Sequence, residues 1–190
     1  MHPIPDPYKW LYGIAPKPAL LILFLLAVTL LTGLRSLDQS LIANAAPKGI
    51  VSFELAGNIK QVNQILEEWG PEGRVYAALS LGLDYLFLIV YALFISLACV
   101  LIARYFTLKI TFLATGGFVL GWGQFFAATL DAIENLALIR LLLDSQRESW
   151  PVIARWCAIV KFGIVGAGLA YILIGTLIVL SWKSFTSGKK

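Results

Sequence analysis

The residues of this chain best suited to chemistry are acidic and amide side chains within a largely apolar run, residues 121–143. Asp131, Glu134 and Asn135 interrupt that run, and their spacing places them on nearly one face of a helix. A carboxylate beside lipid costs about a few kcal/mol, so such residues usually turn inward, pair with another group and mark a functional site. This face is therefore the first candidate for a site.

The chain as a whole is too apolar for an ordinary soluble domain. Of its 190 residues, 59% are hydrophobic, and the mean hydropathy is +0.81. Four stretches without Asp, Glu, Lys or Arg approach the roughly 20 residues that cross a bilayer core; they are residues 18–34, 85–103, 110–130 and 162–182. We predict an all-α fold, an integral membrane four-helix bundle that forms a single domain over residues 1–190. Its transmembrane helices are predicted at residues 18–35, 75–104, 109–144 and 150–182.

A polar segment between the first two predicted transmembrane helices, residues 50–70, carries an amphipathic pattern. Its apolar residues recur at steps of four and three, as on one face of a helix: Leu55, Ile59, Val62, Leu66 and Trp69. Gly70 and Pro71 predict the end of this helix. We expect it to cap the outer mouth of the bundle, because a predicted hairpin at residues 135–160 has an apolar face that needs cover. That face comprises Leu138, Leu142, Ile153 and Trp156.

Charged residues near the ends of the predicted helices come to one depth. Counted from a predicted turn near Thr107, Asp84 and Asp131 are level on neighbouring antiparallel helices. Counted from a turn near Arg147, Asp131 and Lys161 are level as well. We therefore expect a ring of charged side chains at the outer membrane edge. With its neighbours, it supplies the candidate ligand-binding residues Arg35, Glu54, Asp84, Tyr85, Tyr91, Asp131, Glu134, Asn135 and Lys161.

Several roles for this ring stay open on the sequence alone. It can be a structural network, since buried charges persist when they are paired. It can also hold a lipid or isoprenoid head group, with the tail along an aromatic lining of Tyr85, Tyr91, Trp122 and Phe125. The carboxylates would suit Mg²⁺, Ca²⁺ or Mn²⁺, but Lys161 and Arg35 already neutralise them, so no metal site is expected. A proton relay would need charged residues in the other halves of the helices, which are charge-free.

We predict a binding or interaction protein, in an accessory or assembly role, that holds a membrane lipid head group or a partner membrane subunit at the ring. The alternative is an enzyme acting on a lipid head group, with Asp131 or Glu134 as general base. A small ion- or proton-coupled transporter is a further alternative. No cofactor is expected, because the chain has one histidine and because Cys99 and Cys157 lie at different predicted depths.

The distribution of basic residues predicts the orientation. Lys and Arg are denser in residues 1–17, 104–109 and 183–190 than in the segments of the opposite side, which places both termini in the cytoplasm of a bacterial inner membrane. The net charge of +4 suits anionic lipid head groups rather than nucleic acid. The proline-rich N-terminal residues predict an extended arm with Tyr8 and Trp10 at head-group level.

Overall fold

The computed structural model of the chain describes residues 4–13, 16–107 and 109–187. This part is helical without strands, so the all-α prediction is confirmed. Its elements are a 3₁₀ helix, Lys9–Gly13, and the helices α1 (Pro16–Gln39), α2 (Ile50–Glu54), α3 (Ile59–Phe106), α4 (Thr111–Leu142) and α5 (Ser149–Ser187). The remainder of the predicted arm, residues 1–3, 14 and 15, and the C-terminal residues 188–190 lie outside the described residues.

Three helices are long and apolar enough to cross a membrane by length and composition. They are Pro16–Gln39, Ile59–Phe106 and Ser149–Trp182. This finding supports the prediction of a membrane protein with several spans. α4 occupies the position predicted for the remaining span and is 32 residues long.

The predicted cap helix and the second predicted span are the two helical segments of α3, which meet at a break. α3 has 48 residues and leaves helical geometry at Gly70, where φ is 60° and ψ is −167°. The predicted end of the cap helix at Gly70 and Pro71 is therefore confirmed, and Pro71 starts the next segment, since proline is well accommodated in a first helical turn. The helix begins at Ile59, with Asn58 as its N-cap, and Leu55 lies outside it as the C-cap of α2.

Long helices α3 and α4 run antiparallel in close contact. The Ser96 hydroxyl donates to the Gly121 carbonyl at 2.7 Å, and Arg74, near the start of the second segment of α3, pairs with Asp144 after the end of α4 at 2.8 Å. A Cβ on Gly121 would collide with Val100 of α3, so the close approach of α3 and α4 depends on glycine having no side chain.

Of the remaining long helices, α5 packs antiparallel to α4, and α1 packs antiparallel to α3, where Phe24 lies beside Phe94 and Gly33 beside Leu83. The Tyr171 hydroxyl of α5 donates to the Leu113 carbonyl of α4 at 2.9 Å, at the opposite end of the pair from the α4–α5 turn. On the other side, the Phe24 ring of α1 packs against the Phe94 ring of α3 in a tilted arrangement with centroids 5.6 Å apart. α1 has no fully buried residue, so it is the peripheral helix. The order is up-down-up-down.

The segment between α1 and the break at Gly70 covers one end of the bundle. Residues 41–69 are termed the cap here, and the end that they cover is the capped end. Trp69 anchors the cap by donating its indole N–H to the Leu41 carbonyl at 2.7 Å. Apolar residues of the cap share one buried cluster with residues of α4 and α5: Phe53, Ile59, Val62, Ile65, Leu66 and Trp69 with Ala137, Leu138, Leu141 and Ala154. The predicted cover is confirmed for Leu138, but it is wrong for Trp156, which is 62% exposed.

The N-terminal residues fold against the opposite end, termed the arm end. Asp6 accepts two hydrogen bonds from the Arg104 guanidinium, and the Trp122 indole donates to the Pro5 carbonyl at 2.8 Å. Tyr8 and Leu11 are buried against α3 and α4. The expectation of an extended arm is therefore wrong, because Lys9–Gly13 is a 3₁₀ helix and Tyr8 is buried against the bundle.

Candidate functional site

A lysine held by two carboxylates lies at the centre of the predicted ring. Lys161 of α5 donates through Nζ to Asp131 Oδ1 at 2.7 Å and lies 2.9 Å from Glu134 Oε2. The Tyr91 hydroxyl of α3 donates to Asp131 Oδ2 at 2.9 Å. All four side chains are buried. We term this group the lysine cluster; it ties α3, α4 and α5 together through polar contacts.

One turn further toward the capped end, α3 and α4 form a second polar contact. Asn135 donates through Nδ2 to Asp84 Oδ2 at 2.6 Å. Asn135 is buried and Asp84 is half-buried. The level positions predicted for Asp84, Asp131 and Lys161 therefore agree with the structure, since a constant helical rise allows depth to be counted along the chain.

The short helix α2 brings Glu54 to the same site from the cap. Asp38, at the end of α1, accepts a hydrogen bond from the Ile50 backbone N–H at 2.6 Å and so holds the first turn of α2. Gly49 precedes that turn with φ 53°, and a Cβ there would collide with the Asp38 carboxylate. This local geometry fixes the direction of α2 and points its last residue, Glu54, into the bundle.

Glu54 is a carboxyl group without a complete set of partners. It is 8% exposed, and its Oε2 has no hydrogen-bond partner in the described part of the chain. Burial raises the pKa of Glu54 from 4.5 to about 7, because it removes water from the charged form; Lys161 opposes this shift, and Asp84 and Asp131 add to it. Its carboxyl also contacts that of Glu134.

A cavity of about 250 Å³ lies among α1, α2, α3 and α4 at this point. Its polar lining consists of Arg35, Asp38, Glu54, Ser80, Asp84 and Asn135. Its apolar lining consists of Leu31, Leu34, Ile50, Val51 and Leu81. Leu31 and Arg35 are exposed on α1, so the cavity reaches the surface of the protein along this helix.

The predicted site residues thus divide into two groups. Arg35, Glu54, Asp84 and Asn135 line the cavity. Tyr91, Asp131, Glu134 and Lys161 form the lysine cluster. Tyr85 belongs to neither, because its hydroxyl donates to the Ala132 carbonyl at 3.3 Å.

The aromatic residues expected along a lipid tail do not line the cavity. Trp122 bonds to the N-terminal residues, and Phe125 packs beside it with ring centroids 5.8 Å apart. The Tyr91 hydroxyl donates its hydrogen bond to Asp131. The cavity walls are aliphatic instead.

Sequence reasoning missed two polar residues of the cavity and one polar residue of the core. Asp38 follows Arg35 by three residues on α1, and Ser80 precedes Asp84 by four on α3. Residues at these spacings share a helix face, so both could have been predicted as neighbours of the site residues. Gln124 is fully buried, donates to the Ile164 carbonyl at 3.3 Å and leaves its own Oε1 without a partner in the described region.

No known protein family, curated protein or solved structure matches this chain. Within the described residues, no group of three or more His, Cys, Asp or Glu side chains is arranged to hold a metal ion. The cavity and the lysine cluster therefore provide the basis for a function.

Proposed function

We propose that this chain is a four-span membrane protein that binds the head group of a lipid in the cavity at its capped end. The observation that carries the proposal is the cavity itself, which combines polar and charged residues on one part of its wall with leucines on another. An amphiphile with a compact polar head matches this division. The opening along α1 lies on the helix that is least buried in the bundle, where a lipid can enter sideways.

The geometry of α4 supports the fourth span. It runs antiparallel to α3 and α5, from the arm end to the capped end. Its 32 residues extend over about 48 Å at the rise of an α-helix, more than a bilayer core of about 30 Å requires. Its acidic residues Asp131 and Glu134 are buried against α5 and not exposed to lipid.

The lysine cluster lies behind the cavity and supports the proposal because it holds the helices of the cavity wall in position. Lys161 is occupied by Asp131 and Glu134, and these contacts fix α4 relative to α5. Asn135, one turn further along α4, then has a defined position from which it orients Asp84 toward the cavity. Contacts behind a binding site, such as these, hold the residues that face the ligand in place.

We place the capped end outside the cell and both termini in the cytoplasm of a bacterial inner membrane. This orientation rests on the density of Lys and Arg in residues 1–17, 104–109 and 183–190. The cavity would then open to the outer leaflet.

A second candidate is an enzyme acting on the same head group. One observation favours it: burial brings the pKa of Glu54 to about 7, near the operating pH of a general base. Vesicles containing the purified chain would be assayed for a change in lipid composition over time. Turnover by the wild type that Glu54→Gln abolishes would support this candidate, and unchanged lipid would contradict it.

Native mass spectrometry of the purified full chain tests the binding proposal. Leu31→Trp narrows the cavity at its exposed lip, whereas Leu21→Trp changes an exposed leucine on α1 outside the cavity. We expect one retained lipid in the wild type and in Leu21→Trp, and loss of that lipid in Leu31→Trp. A stoichiometric partner protein without lipid, or equal retention by the two variants, would contradict lipid binding in the cavity.

A further inference from the structure

The cavity has an unequal distribution of charge. Three carboxyl groups line it, those of Asp38, Glu54 and Asp84. Arg35 is the cationic residue of its lining and lies exposed at the opening. Lys161, behind the wall, is held by two carboxylates of its own, so it does not extend into the cavity.

Glu54 provides the independent sign of a ligand. It lines the cavity and is 8% exposed; its carboxyl contacts that of Glu134, and its Oε2 has no hydrogen-bond donor in the described region. A buried polar oxygen without a donor costs about 1–3 kcal/mol, so a ligand that brings an N–H donor would stabilise the site. Asp84, held in place by Asn135, offers carboxylate charge in the same cavity.

We infer that the bound head group carries a primary ammonium next to a phosphate, as in an ethanolamine phospholipid, with the ammonium between Glu54 and Asp84 and the phosphate beside Arg35. This inference rests on the proposed lipid-binding function. A primary ammonium has three N–H donors, which a quaternary ammonium lacks. A head group with only negative charge would meet three carboxyl groups inside the cavity, so it would be disfavoured.

The volume and the lining of the cavity suit a small organic cation better than a metal ion. The volume of about 250 Å³ lies just below the roughly 300–1,000 Å³ of sites for drug-sized ligands. Ca²⁺ and Mg²⁺ need about six or more oxygen ligands, including water. Here Leu31, Leu34 and Leu81 form part of the wall, and an alkyl chain suits them better than the water shell of a metal ion.

Competition among lipids in nanodiscs tests this inference. The full chain is placed in discs with equal amounts of phosphatidylethanolamine, phosphatidylglycerol and phosphatidylcholine, and the lipids retained after delipidation are counted by native mass spectrometry. We expect phosphatidylethanolamine to be enriched. Glu54→Gln should lower its retention roughly tenfold, as loss of a charge-assisted hydrogen bond predicts. Glu67→Gln, at an exposed position of the cap, should leave retention unchanged.

The outcomes separate this inference from the proposed function. Enrichment of phosphatidylglycerol that Arg35→Gln abolishes, or equal retention of phosphatidylcholine and phosphatidylethanolamine, would overturn the primary ammonium and leave lipid binding in place. Absence of any retained lipid would overturn both. If free phosphoethanolamine at equal concentration displaces the lipid, the lipid tail contributes nothing to binding. That result would overturn the claim that the ligand is a lipid. The lipid preference of the wild type decides the question even if Glu54→Gln fails to fold.

Discussion

Lys161 Nζ of α5 lies 2.7 Å from Asp131 Oδ1 of α4, and the two residues are 6% and 2% exposed. This ion pair joins neighbouring helices at a depth where neither charge has access to bulk water. Its stability therefore depends on both partners being present, because a single buried charge without its counterion is costly.

The first prediction concerns this pair. Asp131→Leu should lower the free energy of unfolding by about 3–5 kcal/mol, the cost of breaking a buried ion pair by removing one partner. The triple variant Asp131→Leu, Glu134→Leu and Lys161→Leu should recover part of that loss, since it removes the buried ammonium together with both of its carboxylate partners. Thermal unfolding in detergent measures both.

The exposed pair Arg74–Asp144 provides the control. Its side chains are 32% and 67% exposed, so Asp144→Asn should change stability by less than about 1 kcal/mol. A triple variant at Asp131, Glu134 and Lys161 that is no more stable than Asp131→Leu alone would remove the claim that these charges are coupled.

The second prediction concerns pH. The pKa of Glu54 is about 7 in the folded chain and near 4.5 when unfolded, so the folded state keeps this proton over that interval while the unfolded state loses it. The stabilisation by Glu54 should be fully present below pH 4.5 and be lost as the pH rises through 7, by up to about 3 kcal/mol. The groups that face Glu54 are Lys161, Asp84, Asp131 and Glu134.

Melting curves from pH 4.5 to 8 measure this effect. Glu54→Gln should weaken the fall of the melting temperature with rising pH, because glutamine does not titrate. Glu67→Gln, at an exposed position, should keep the slope of the wild type. A slope that is identical in the wild type and in Glu54→Gln would rule out Glu54 as the titrating group.

The third prediction concerns the cap. Leu66 is 2% exposed and belongs to the apolar cluster shared with α4 and α5, so Leu66→Ala should lower stability by about 2–5 kcal/mol. Gln64→Ala, on the exposed face of the same helix, should change it by less than about 0.5 kcal/mol. Chemical unfolding in mild detergent compares the two, and equal effects would mean that the cap does not contribute its apolar face to the fold.

The fourth prediction tests the proposed orientation by thiol labelling in a Cys157→Ser background, in which Cys99 is buried. Glu148→Cys lies in the α4–α5 turn and Thr107→Cys after α3, both at exposed positions. In intact cells an impermeant reagent should label Glu148→Cys, and it should label Thr107→Cys only after permeabilisation. The reverse pattern would place the capped end in the cytoplasm.

The amphipathic stripe of the cap and the level charges could be predicted because both follow from local arithmetic. A period of 3.6 residues identifies the buried face that contains Val62 and Leu66, and a rise of about 1.5 Å per residue predicts that Asp131 and Lys161 are level. The break at Gly70 could be predicted as well, since glycine adopts a positive φ readily and a proline directly after it starts a new helical segment.

The sequence by itself determined the helices, their order, the depth of the charged residues and the apolar character that brings the chain into a membrane. Only the tertiary structure decided which level residues share a cavity. Depth follows from helical rise, but rotation about each helix axis follows from close contacts between helices, such as that of Gly121 with Val100. The position of Glu54 depends on Asp38 and Gly49, whose contact is made through the fold of the cap. For that reason Asp84 and Glu54 line the cavity while Asp131, at a similar depth, is turned toward Lys161.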